Sequence, residues 1–347
     1  QRPVSLSAEA TAGRLFAVDY RLLQEALRPR RSRDVRWRGK YAPAPIGVFL
    51  EADGFYPDSA IVPLAIQVDQ PQESDAANPV YYPDDGWGWR LAKSYLETAD
   101  TSYHVPFGHV FRTHFLMTAF AMATPRQLAP NHPLFVLLRP HLRFTLATNA
   151  GAYDYLITRS KLFGEIYAGT LEETRQIAVE GYRHHSFVEM NLGADLADRG
   201  VGATPAEYPL RDDLDLWVDP IRTFVEAYLT AFYPDDAAVA GDTELQAWAE
   251  ELQDPQRGAV RELTPDGTLD TRRKLIDLIS QVVFTAGPAH AAQHFASNYF
   301  YRYATLFPAA CYEPPPGEDD QLDFARWVAT LPPVSAANDQ FKSNTLT

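Results

Sequence analysis

The segment YHVPFGHVFRTHF, residues 103–115, sets His104, His109 and His114 five residues apart, twice in succession. A second segment, GPAHAAQHF at 287–295, sets His290 and His294 four apart. The chain has nine histidines in 347 residues, so five in two short apolar stretches concentrate one chemistry. Neutral imidazole is a metal ligand, and its nitrogen suits iron, zinc, copper or nickel. In an α-helix each residue turns about 100°, so positions five apart diverge while positions four apart share a face. In a π-turn, with hydrogen bonds from i to i+5, residues five apart stack one turn above the other. The spacing predicts a π-turn that brings His109 and His114 to one point, and an α-helical face carrying His290 and His294. No H-E-x-x-H occurs, so the zinc-protease arrangement is absent. The plainer alternative is that each pair is a set of hydrogen-bonded core residues.

A mainly helical scaffold has to hold these residues. From Trp89 the pattern is helical: WRLAKSYLETAD, then roughly 105–123, 141–160, 170–182, 217–232, 243–252 and 271–306. Loops such as ATPRQLAPNHP and CYEPPPGEDD separate them. Before Trp89 the chain is irregular and partly β, with IGVFLEADGFY and AIVPLAIQV as strand candidates. No strand–helix–strand alternation occurs, which argues against a parallel sheet. The expected architecture is one mainly α domain over 1–347, with a β/irregular opening region at 1–88 and a helical core at 89–347.

Composition narrows the function classes. The formal net charge of −14 argues against a nucleic-acid partner, which needs a basic face. One cysteine, Cys311, excludes an internal disulfide. The opening QRPVSLSAEA has no apolar signal-peptide core. From Leu278 to Tyr301 no Asp, Glu, Lys or Arg occurs. Gln281, His290, Gln293, His294 and Asn298 within it favour a buried helix over a membrane span. A cytoplasmic location is expected, with transient peripheral membrane contact through surface aromatics left open.

The run WRLAKSYLETADTSYHVPFGHVFRTHFLMTAFAMATPRQLAPNHPLFVLLRPHLRFTLATNA resembles the central iron-binding segment of lipoxygenases. It carries the triple-histidine spacing, the ATxRQL turn and the HPLFxLLxPH run. AHAAQHF is similar to that family's second iron segment, and RLFAVDY, VPLAIQV and ATLPP are weaker echoes in the same order.

The resemblance implies one non-haem iron, cycling between Fe2+ and Fe3+. It makes His109, His114 and His290 its ligands, puts His294 at the fourth ligand position, and leaves His104 beside the metal without binding it. It implies dioxygenation of a polyunsaturated fatty acid of the linoleate, linolenate or arachidonate type. An iron-bound hydroxide takes hydrogen from a pentadiene, and O2 adds to give a conjugated-diene hydroperoxide. Leu156 aligns with the leucine that clamps the pentadiene, Ala152 with the small-residue position that suggests an S product, and Phe163 with a wall of the oxygen route. Arg143, Arg159, Lys161 and Arg183 are candidates for the substrate carboxylate, and tail-first binding is equally open. His132 and His141 need no role in the chemistry, and His184 and His185 are expected on the surface or in a loop.

The chain departs from the family in places. It stops at NDQFKSNTLT with no terminal isoleucine, the residue whose carboxylate completes the family's iron shell, so that ligand is expected from residues absent here. No N-terminal β-barrel domain is expected in this chain. Val105 and Ser297 stand where the family often has glutamines. Two other functions share the same residues: a fatty-acid hydroperoxide isomerase, and a non-catalytic lipid- or metal-binding relative.

Overall fold

The structure is a computed structural model that describes residues 5–27, 39–41, 43–51, 61–70, 78–154, 162–203, 207–317 and 320–346. Near the N-terminus, four strands form an antiparallel sheet in sequential order: β1 (Leu15–Asp19), β2 (Ile46–Glu51), β3 (Ile61–Gln67) and β4 (Val80–Tyr81). Ala17 faces Val48 and Gly47 faces Ile66, with a register shift after Val48. The principal helices follow: α1 (Trp87–Tyr103), α2 (Leu116–Gln127), α3 (Thr145–Ala152), α4 (Leu171–His184), α5 (Pro209–Thr230), α6 (Thr243–Gln253), α7 (Arg272–Phe284) and α8 (His290–Tyr299).

Two apolar cores organise these elements. In the first, the sheet lies on α1, with Ile66 and Val68 buried among Leu91, Tyr95 and Ala99. Gly47 leaves room at this contact. A Cβ there would meet the side chains of Val18 and Phe49 at 3.0 Å and Leu96 at 3.2 Å, so a larger residue requires those side chains to give by a few tenths of an ångström. Cys311 is sealed in the same core beside Thr98. The second core lies among α2, α5, α6 and α7, centred on Phe120, Phe187, Leu229, Leu245 and Trp248. Phe120 packs against the rings of Phe187 and Trp248 at 5.3 and 5.9 Å, and Trp248 donates its indole N–H to Thr124.

Two helical rods join these cores to the histidines. The first runs unbroken from Trp87 to Gln127, with a π-helical segment, π1 (His104–Phe115), between α1 and α2. Its α1 end belongs to the sheet core and its α2 end to the helical core, so π1 lies at their junction. The second runs from Arg272 to Tyr299, with a shorter segment, π2 (Thr285–Ala289), between α7 and α8.

The mainly α architecture with a small antiparallel sheet agrees with the sequence pattern, and differences in helix extent have local causes. The helix expected from 217 starts at Pro209, since proline fits the first turn of a helix, where its missing N–H costs nothing. The helix expected over 271–306 ends at Tyr299 and contains π2. The pattern over 141–160 yields α3 alone among the described residues, its start set by Phe144 in a left-handed conformation (φ 68°). No helix among the described residues is long and apolar enough to cross a membrane.

Phe120 has 0% of its surface exposed, while Leu216 on α5 has 72%. Phe120→Ala should cost about 3–5 kcal/mol of stability, and Leu216→Ala should stay within about 0.5 kcal/mol of the parent. Urea titration of both variants, read by tryptophan fluorescence, checks the contrast.

Candidate metal centre

Both rods widen just before they deliver histidine, and in both the widened segment contains proline and glycine. Pro106 stands three positions before His109, and Pro288 two positions before His290. A proline inside an α-helix removes one hydrogen bond and presses its ring on the preceding turn. The i to i+5 register of a π-turn absorbs that mismatch. Gly108 serves a second purpose. A Cβ there would lie 3.1 Å from Gln293 Oε1, so its absence lets π1 and α8 close on each other.

Four imidazoles meet where the rods approach. His114 Nε2 lies 3.1 Å from His109 Nε2 and 3.0 Å from His290 Nε2. Ligand nitrogens of His109, His290 and His294 all lie within 4.8 Å of one another. This is the only group of three or more potential metal ligands among the described residues. The donor set fits a metal of the iron, zinc, copper or nickel kind. Two nitrogens bound at right angles to one ion, each about 2.0–2.1 Å from it, are themselves about 3 Å apart. The two shortest separations here have that value.

Electrostatics favours lone pairs over protons at this point. Burial, followed by the neighbouring imidazoles His114 and His290, pushes the pKa of His109 down to about 2. Burial, then His114 and His294, takes His290 down to about 4. His114 is also lowered by burial, against the opposing hydrogen bond it makes to Asn149 Oδ1. A buried ring avoids charge it cannot solvate, and clustered bases repel each other's protons. At neutral pH these rings are therefore uncharged donors.

His104 stands apart from the group. Its ring centre is 6.5 Å from that of His109, and its Nε2 lies 3.0 Å from the Gln293 main-chain oxygen, tying π1 to α8. His132 caps the helix Pro133–Leu138: its Nδ1 accepts from Leu134 N–H, which leaves Nε2 to donate to Asp242 at 3.0 Å. His184 is exposed as expected. His185 lies in the loop after α4, as one of the two expectations had it, but it is buried and not on the surface: its ring packs 5.1 Å from Phe111 of π1 and its Nδ1 donates to Tyr182 O. Here the chain turns inward after α4, which the polar run GYRHHSF conceals.

Among the candidate pocket and carboxylate residues, Ala152 is the last residue of α3 and partly buried. Leu156, Arg159 and Lys161 lie outside the described residues, as does the side chain of Phe163. Arg143 is exposed over the Phe144 ring, and Arg183 is exposed and paired with Glu180 at 2.6 Å, so each guanidinium is engaged away from the histidines. One residue at the site had no sequence signal. Asn149 of α3 places Oδ1 2.7 Å from His114 Nδ1. A single asparagine in ATNAGA has no partner at helical spacing that would single it out.

The sequence model of one family, Lipoxygenase, matches residues 9–330. The chain belongs to the lipoxygenase family. It is 32% identical over 336 residues to the polyunsaturated fatty acid lipoxygenase ALOX15B of Rattus norvegicus, covering 96% of this chain and 48% of that protein. It is also 32% identical over 333 residues to the hydroperoxide isomerase ALOXE3 of Homo sapiens, covering 95% and 45%. Among solved structures, a lipoxygenase variant crystallised anaerobically in complex with arachidonate superposes with a TM-score of 0.88 at 26% identity, over 100% of this chain and 51% of that one. The chain thus spans about half the length of the relatives it matches.

The cluster makes the metal-free chain sensitive to acid. Unfolded, these rings bind protons near the ordinary histidine pKa of 6.5, whereas folded His290 waits until about 4 and His109 until about 2. Below 6.5 the unfolded state binds more protons, so stability present above that pH is lost as pH falls towards 4. The thermal midpoint of metal-free protein should drop between pH 7 and 4.5. A flatter profile is expected for His109→Phe, and an equally steep one would refute the assignment.

Proposed function

We propose that this chain is the iron-binding part of a lipoxygenase that inserts dioxygen into a polyunsaturated fatty acid to give a conjugated-diene hydroperoxide. The observation that carries the reading is the convergence of neutral imidazoles from two π-widened rods, with cis-ligand spacing between their Nε2 atoms. His109, His114 and His290 are assigned as iron ligands and His294 as the fourth. His104 holds the two rods together without joining the shell. Bound there, iron supplies the one-electron redox chemistry that hydrogen removal and reaction with dioxygen demand.

The remaining work falls to the protein. Burial keeps the donors neutral and limits water around radical species. Leu156, Ala152 and Phe163 are assigned to the hydrocarbon pocket. Arg143, Arg159, Lys161 and Arg183 are kept as the candidates to meet the substrate carboxylate. Residues 1–88 and 89–347 are treated as one catalytic domain, since the sheet packs directly on α1.

A second reading has its own support. The likeness to a hydroperoxide isomerase is as high in identity as that to the fatty acid lipoxygenase. Oxygen balance separates the two, because an isomerase rearranges a hydroperoxide without consuming dioxygen.

Two measurements test the proposal. Linoleic acid added to iron-loaded protein in an oxygen-electrode cell should give matched oxygen loss and conjugated-diene absorbance. Turnover of a lipid hydroperoxide with no oxygen loss would move the assignment to the isomerase. Second, His109→Ala, His114→Ala and His290→Ala should each abolish iron retention in metal analysis. His132→Ala should keep it while losing about 1 kcal/mol of stability through its helix cap.

A further inference from the structure

Asn149 sits three positions before Ala152 on α3, a helix with no buried residue of its own. Its side chain crosses to the junction of π1 and α2 and makes three hydrogen bonds there. Nδ2 donates to the His114 main-chain oxygen at 3.1 Å and to Thr118 Oγ1 at 2.8 Å. Thr118 Oγ1 spends its own hydrogen on the same His114 oxygen, at 2.9 Å, so towards Asn149 it can only accept. Both groups at that end of the amide are acceptors. The NH2 must therefore lie there, and the usual ambiguity between amide oxygen and nitrogen disappears.

It follows that Oδ1 faces His114 Nδ1, at 2.7 Å. An amide oxygen accepts and never donates, so Nδ1 of the neutral ring carries the hydrogen. Nε2 then carries the lone pair, and Nε2 is the atom that lies about 3 Å from the Nε2 atoms of His109 and His290. We infer that Asn149 is a positioning residue, holding His114 in the Nδ1–H tautomer with its lone pair aimed into the histidine group, and fastening α3 to that group. The inference rests on the reading of that group as a metal centre.

Two consequences can be measured. A partner that fixes the tautomer of a ligating histidine typically contributes 10- to 100-fold in metal affinity. Because α3 ends in Ala152, the same bond holds a proposed pocket wall to a proposed ligand, so its loss should loosen both.

The test uses the full chain labelled with 15N-histidine. Long-range proton–nitrogen correlations on metal-free wild-type protein should show His114 protonated at Nδ1. An Nε2-protonated ring would overturn the inference without any variant being made. Fe(II) affinity, measured by competition with a chromophoric chelator, should fall 10- to 100-fold in Asn149→Leu. Asn149→Asp, which keeps an acceptor opposite Nδ1 but loses the two donated bonds at its other end, should keep the Nδ1–H tautomer while Asn149→Leu loses it. A Leu variant with unchanged affinity and unchanged tautomer would also overturn it. If wild-type protein binds no Fe(II), the metal reading fails, and the tautomer still decides the role of Asn149.

Discussion

The centre depends on making several bases share one small volume without any of them taking a proton. Imidazoles whose nitrogens approach to about 3 Å repel each other's charged forms, and burial deepens the effect. The fold supplies the convergence by crossing two rods, each widened to a π-helix as it reaches the crossing. An α-helical register would turn His109 and His114 to different sides. The wider register stacks them, and the prolines and glycines nearby are the residues it tolerates. Each rod is fixed by large buried side chains well away from the histidines: α1 by the sheet, and α2 and α7 by the core around Trp248. Packing distant from the site thus holds the bases together against their mutual repulsion.

The five-residue spacing made π1 legible in the sequence, because that spacing has one helical register in which it makes geometric sense. The pair His290 and His294 was legible for the opposite reason, as an ordinary α-helical face. π2 was not, since the five residues TAGPA carry no distinctive side chain at five-residue spacing to report the change of register. The start of α5 at Pro209 was masked by the charged run LRDDLDLW, although proline at the first turn was a signal available there. His185 looked like a surface residue from its polar neighbours. Its burial comes from the chain folding back on Phe111, a contact between segments far apart in sequence.

Asn149 shows the same limit at the site itself. Its importance lies in the directions of three hydrogen bonds to two residues about thirty-five positions away, and no local pattern encodes them. Ligands repeat along one helix and so leave a period to read. Residues that orient ligands usually come from another element and leave none. His132, set aside from the chemistry in the sequence, has both of its nitrogens engaged by Leu134 and Asp242.

The burial of Cys311 has a bearing on durability. Its thiol is fully enclosed, and burial pushes its pKa up to about 12, so thiolate, the nucleophile that attacks a peroxide, is scarce. The sulfur that an oxidant can reach is then that of methionine. Of the three methionines, Met117 is enclosed in the helical core and Met190 packs against it, whereas Met122 on α2 opens 42% of its surface. Oxidative ageing of this chain should therefore begin as a sulfoxide at Met122, on the outer side of the helix that anchors the first rod.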